Sequence, residues 1–337
     1  MEAIVNVRTK ELEKLCEYAM RPDFERMRMW QWGQGIAIYS LEKAYLKTKN
    51  KQYIEFIDQW ITNHLENEKP GFSVNTTAPL HGILALYEIN NDTRYLSLCD
   101  EFAKYLVTEN PRCEKGGLEH TCTANRIDNE MWIDTVMVAG AFLVRYGLFK
   151  NERMYVNEGL RQMIIHYDFL HDEETDLIFH GYSSNDRQTH GSLWGRGNCW
   201  FAAACGIVLS MIDDTYPLKK ELEDRYKRHL KAILKYQRED GSWGTVIPDL
   251  TSYSESSATA GMVIGIAKAI ELGYLGDEYI DNRDKAYDYL AKHIDDEGAM
   301  TGGSYGTCVM PTDEDYKRII QCNSEFTQGL SILAFSL

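Results

Sequence analysis

Two kinds of helical segment alternate along this chain, and that alternation restricts the folds open to it more than any other feature. Apolar residues recur at helical spacing almost throughout. The spacing predicts helices at about 9–20, 31–48, 51–67, 77–89, 92–108, 129–148, 151–170, 193–212, 216–238, 254–272, 276–293 and 323–336. One set is amphipathic and heavily charged, as in ELEDRYKRHLKAILKYQRED (221–240) and DNRDKAYDYLAKHIDDE (281–297). The other is apolar around nearly its whole circumference and rich in Ala and Gly, as in FAAACGIVLSMI (201–212) and SATAGMVIGIAKAI (257–270). A helix with one polar face lies outside, whereas one apolar all round must be covered on both sides. Alternation of the two, with short loops, predicts an all-α chain closed into a single (α/α)6 barrel, a toroid of six hairpins. No linker or low-complexity break interrupts residues 1–337, which read as one domain. Strand signals are confined to LIFHGY at 177–182 and short pieces near SWGTVI at 242–247.

Each segment of the apolar set begins at a polar and aromatic cluster. The six are WQWGQG (30–35), NTTAPLHG (75–82), EMWIDT (130–135), WGRGNCW (194–200), SYSESSATAG (252–261) and SEFTQG (324–329). In a toroid all inner N-termini point to one end, so the clusters converge on one cavity whose helix termini favour anions. Against this stands a net charge of −15, which opposes nucleic-acid binding and obliges any acidic ligand to find a local cationic pocket. No run approaches the roughly 18 apolar residues of a membrane span. The N-terminal MEAIVNVRTKELEKL has no signal-peptide core, so a cytoplasmic protein with eight reduced cysteines is expected. None of the eight falls in a C-x-x-C pair, and no metal site is expected.

Asp134 is the sharpest candidate for chemistry. On a helix through 129–148 it shares a face with Met131, Val138 and Ala141. A lone carboxylate there costs several kcal/mol or shifts its pKa. The plain alternative is an acid serving the helix dipole, but Asp128, Asn129 and Glu130 already supply that polarity. Arg196, flanked by Trp194 and Trp200, suits a planar carboxylate beside a stacked ring, or else pairs structurally with an acid. His120 and His180 sit at glycine-containing turns. Asn75 and Thr77 read first as helix N-caps before Pro79, and Glu255 as a structural carboxylate or capping partner of Ser252.

The motifs MWIDT (131–135), D-x-x-T-x-L-I-F-H-G-Y (172–182), WGRGNCW (194–200), ESSATAGM (255–262) and TQGLSILAFS (327–336) are jointly specific. Through them nearly the whole chain resembles glycoside hydrolase families 88 and 105, the unsaturated uronyl hydrolases, and the second more closely. The resemblance implies a six-hairpin barrel and a mechanism without metal or other cofactor. The implied substrate is an oligosaccharide ending in the 4,5-unsaturated uronic acid that a polysaccharide lyase leaves at a non-reducing end. Asp134 would protonate C4 of the enol ether and assist water attack at C5. His180, Arg196 and Trp200 would contact the sugar, with Gln31, Trp32, His120 and Met131 lining the site; Asn75, Thr77 and Trp194 are further substrate-binding candidates. Many members carry a second Asp where alignment on Gly82 places Thr77, so the holding of the sugar hydroxyls differs here.

Other readings remain open at this stage. A sugar epimerase needs facing inner-helix histidines, and only His81 is available. An inverting glycosidase would pair Asp134 with an opposed acid such as Glu255. A non-catalytic carbohydrate-binding barrel would keep the tryptophans and dispense with Asp134. Neither the neighbouring sugar nor the oligomeric state is legible.

Overall fold

Charged and apolar helices do sort into two concentric layers. The computed structural model describes residues 2–66, 68–123 and 128–337. The inner layer is α2 (Trp32–Thr48), α4 (Leu80–Asn90), α6 (Ala141–Lys150), α8 (Gly195–Leu209), α10 (Ser256–Glu271) and α13 (Glu325–Phe335). Outside lie α1 (Glu2–Ala19), α3 (Lys51–Leu65), α5 (Leu96–Thr108), α7 (Arg153–Leu170), α9 (Lys219–Lys235) and α11 (Ile280–Lys292). Every residue of α8 is buried, whereas α9 buries only a stripe through Leu222, Tyr226, Leu230 and Ile233. No described helix is long and apolar enough to cross a membrane.

The ring closes where α13 packs on α2. A Cβ on Gly329 would stand 2.8 Å from the Ala37 backbone, so glycine is what lets these two helices approach. Between α2, α4 and α6 the barrel carries a buried ionic knot. Arg145 reaches Glu42 at 2.7 Å and Glu88 at 2.6 Å, and Lys43 takes the other Glu42 oxygen at 2.7 Å. His81 packs against this knot, 3.4 Å from Arg145, and burial holds its imidazole neutral.

One predicted helix is corrected. Residues 129–148 do not begin helically: β1 (Glu130–Trp132) pairs antiparallel with β2 (Gly181–Ser183), which pairs with β3 (Gln188–His190). Chain continues through a tight turn at Ile133 and Asp134 into a π-helical turn, Val136–Gly140, and only then α6. The local period was helical, but the hairpin of β2 and β3 supplies backbone partners that hold 130–132 extended. The strand expected at 177–182 is displaced to 181–183, and that near 242–247 reduces to the isolated pairs Trp194–Val246 and Gly244–Ser254. A short helix, α12 (Asp313–Lys317), has no counterpart in the predicted set. Among the described residues no disulfide is formed.

Candidate active site

The segments preceding α2, α4, α6 and α13 line one cavity of about 370 Å³. Gln31, Trp32, Gly33 and Gln34 come from the start of α2, and Asn75 from the turn before α4. His120, Trp132 and Asp134 form the facing wall, and Tyr305–Cys308 with Glu325 and Phe326 complete the rim. A larger hollow of about 630 Å³, bounded by Asp240, Tyr253, Tyr289 and His293, lies elsewhere. The smaller one is the candidate site, because there, among the described residues, a shielded carboxylate, Asp134, lies with the buried His120 and His180.

Asp134 is 14% exposed at the end of the turn after β1. Its carbonyl accepts from the Met137 and Val138 amides at 3.1 Å, anchoring the π-helical turn. His180 Nε2 stands 3.4 Å from Asp134 Oδ2, and neither atom has a closer protein partner. The Tyr316 hydroxyl oxygen accepts the Met310 amide at 3.1 Å and lies 2.6 Å from His180 Nδ1, fixing the ring so that its other nitrogen, Nε2, faces Asp134. Burial pushes the Asp134 carboxyl up, but the interaction with the His180 ring and the charge of Arg196 outweigh it. The result is a carboxyl below its ordinary value, ionised at neutral pH.

His120 stacks on Trp132 at 4.6 Å, nearly parallel, and bonds Thr135 through Nδ1 at 3.0 Å. Burial lowers its pKa to about 4, so it faces the cavity as a neutral imidazole. Trp32 stacks on Phe326 at 4.6 Å and meets Trp200 edge-on at 6.1 Å, giving an aromatic floor. Glu325 supplies a second carboxyl. Burial raises its pKa, only partly offset by its own backbone amide and the charges of Arg26 and Arg196. A Cβ on Gly33 would fall 2.3 Å from Glu325 Oε1, so glycine there makes room for this group.

Of the residues named from sequence, Gln31, Trp32, Asn75, His120 and Asp134 line the cavity, and His180 touches it through Asp134. Five others are placed differently. Met131 points away, against Gly117 and Ile165, because successive residues of a strand face opposite sides and Trp132 takes the inward position. Thr77 is buried, its hydroxyl donating to the Ser73 carbonyl at 3.0 Å. Trp194 is buried against His180 at 4.2 Å, orienting the imidazole from behind. Arg196 is wholly buried, and its two terminal nitrogens are taken up: they donate to Ser304 Oγ at 2.6 Å, the Ser304 carbonyl at 3.1 Å and the Tyr305 carbonyl at 2.8 Å, while Nε has no partner among the described residues. Trp200 lies beneath Trp32 rather than in the lining.

Glu255 caps α10 through the Ala258 amide and accepts from Ser257 and the Ser304 amide, so it holds the 304–305 segment and is not an opposed acid. Sequence reasoning missed Arg26, Trp132, Glu325 and the 305–308 loop as lining. Glu325 and Trp132 lie within clusters it had singled out; the loop has no periodicity to read.

A protein-family model described as Glycosyl Hydrolase Family 88 matches residues 4–336. An unsaturated rhamnogalacturonyl hydrolase, YesR, of Bacillus subtilis (strain 168) is 31% identical over 315 residues, covering 92% of this chain and 88% of that protein. A possible member of the GH105 family from Salmonella enterica superposes with a TM-score of 0.92 at 27% identity, covering 98% and 92% of the two chains. An unsaturated glucuronyl hydrolase from Bacillus sp. GL1, at 17% identity, TM-score 0.72 and coverage of 99% and 95%, shares the fold.

Proposed function

The chain belongs to Glycosyl Hydrolase Family 88, and from that membership and the cavity around Asp134 we propose that it hydrolyses small oligosaccharides ending in a 4,5-unsaturated uronic acid, releasing that sugar. The observation that carries the reading is one shielded carboxylate, Asp134, lining an aromatic-floored cavity with His180 Nε2 at 3.4 Å from its Oδ2. Asp134 gives its proton to C4, and the cation-like C5 is attacked by water whose proton returns to Asp134. The resulting hemiketal opens at the ring oxygen to a C5 ketone, and the hemiacetal left at C1 releases the remaining saccharide. Atoms balance with one water consumed and Asp134 regenerated.

The lowered pKa leaves Asp134 ionised at neutral pH. An anionic sugar brought beside it raises its proton affinity, because like charges disfavour ionisation of both. The substrate therefore loads its own acid. Neutral His120 and the Trp32 face offer hydrogen-bonding and stacking surfaces to the sugar.

The direct test is loss of the ultraviolet absorbance of the conjugated double bond on adding protein to lyase-derived disaccharides. A panel from pectin, ulvan and glycosaminoglycan lyases identifies the uronyl and neighbouring sugars. Persistence of the signal across the whole panel rejects the proposal. Replacing His180 supplies a second check: in His180→Ala the carboxyl loses a partner that holds its pKa down, so the alkaline limb of the kcat/KM profile, which follows loss of the Asp134 proton, moves to higher pH. Turnover falls roughly 10- to 100-fold, the worth of a hydrogen bond to a charged group.

A further inference from the structure

Arg196 was the cation expected to meet an acidic ligand, yet its guanidinium is buried and bonded to Ser304, Tyr305 and Ser257. The cavity still needs a positive group, since the chain carries −15 and two carboxyls, Asp134 and Glu325, line the same space. Among the described lining residues one is an arginine or lysine: Arg26.

Arg26 lies in the turn Glu25–Arg28 before α2. Its neighbours separate outward, Arg28 pairing with Glu25 at 3.2 Å on the exposed side. The Arg26 backbone is tied to α2 through the Gln34 side chain, which donates to its carbonyl. Its half-buried guanidinium lies over the Tyr305 ring at 5.3 Å, with no ion pair or hydrogen bond among the described residues. Glu325 feels its charge but is not within ion-pairing distance. An arginine fixed at its backbone, supported on an aromatic face and left with unpaired donors is suited to a bidentate carboxylate contact.

We propose that Arg26 is the anion anchor of this cavity, binding the carboxylate of the sugar acid and setting the preference for a uronate over the corresponding neutral sugar. The assignment rests on the proposed reading of the ligand as a uronate. The test compares wild type, Arg26→Gln and Arg26→Lys in two assays. Calorimetry measures binding of galacturonate against galactose; kinetics measures KM for an unsaturated disaccharide against its methyl ester. In Arg26→Gln the preference for acid over neutral ligand is expected to shrink roughly 10- to 100-fold. Galactose and ester values stay in place, and Arg26→Lys retains part of the preference. Equal weakening of acid and neutral ligands, an intact preference in Arg26→Gln, or no preference in wild type overturns the anchor. Should wild type leave every unsaturated disaccharide intact while Arg26→Gln still abolishes the calorimetric preference, the catalytic reading falls and the anchor stands.

Discussion

Asp134→Asn is expected to lower kcat on an unsaturated disaccharide by about 10²–10⁴-fold, the range for losing a positioned acid–base group. Asparagine keeps the size and the contact with His180 but can neither deliver a proton to C4 nor take one from water. The substitution also reads out the electrostatics. Interactions with His180 and Arg196 hold the Asp134 pKa below its ordinary value, so the folded state favours the carboxylate. That stabilisation is present above the unfolded aspartate pKa and disappears as pH falls through the folded one. Asp134→Asn should therefore be somewhat less stable than wild type at neutral pH, with the gap closing in acid. Retained turnover with a normal circular dichroism spectrum would remove Asp134 from the chemistry and favour a binding protein.

The second large effect concerns the barrel rather than the site. Arg145→Met is expected to destabilise the fold by about 3–5 kcal/mol, the cost of leaving a buried charge without its partner. Glu42 is 1% exposed, and after the change only Lys43 would balance it. Despite burial, Arg145 and Lys43 hold the Glu42 pKa below its ordinary value. The stability it contributes is thus present above the unfolded glutamate pKa and lost as pH falls through the folded pKa. A double variant, Glu42→Leu with Arg145→Met, should recover much of the loss, because the desolvation penalty leaves with the charges. Thermal melts of the three proteins measure this; equal melting temperatures for Arg145→Met and wild type would contradict it.

Much of the site was legible because the residues around Asp134 are unusual for their positions. An acid within an apolar run, a Trp-Gln-Trp at the start of an inner helix and a histidine beside glycine each conflict with what packing alone would select. The structure groups Asp134, Trp32 and His180 at one mouth. Arg196 conflicts with packing in the same way, yet its destination is Ser304 and Tyr305. Sequence position says that a buried charge needs partners. It does not say whether the partner is a ligand or a loop more than a hundred residues away.

Periodicity and charge alternation by themselves determined the number, order and layer of the long helices, since burial on one side or two is a local property of each segment. Only the tertiary structure decided which side chains reach the cavity. The β2–β3 hairpin turns the segment before Asp134 into a strand and exchanges Met131 for Trp132. The 305–308 loop covers Arg196 and leaves Arg26 as the cavity's described cation. Both outcomes come from contacts between segments distant in sequence, whose strength depends on geometry that no local pattern encodes.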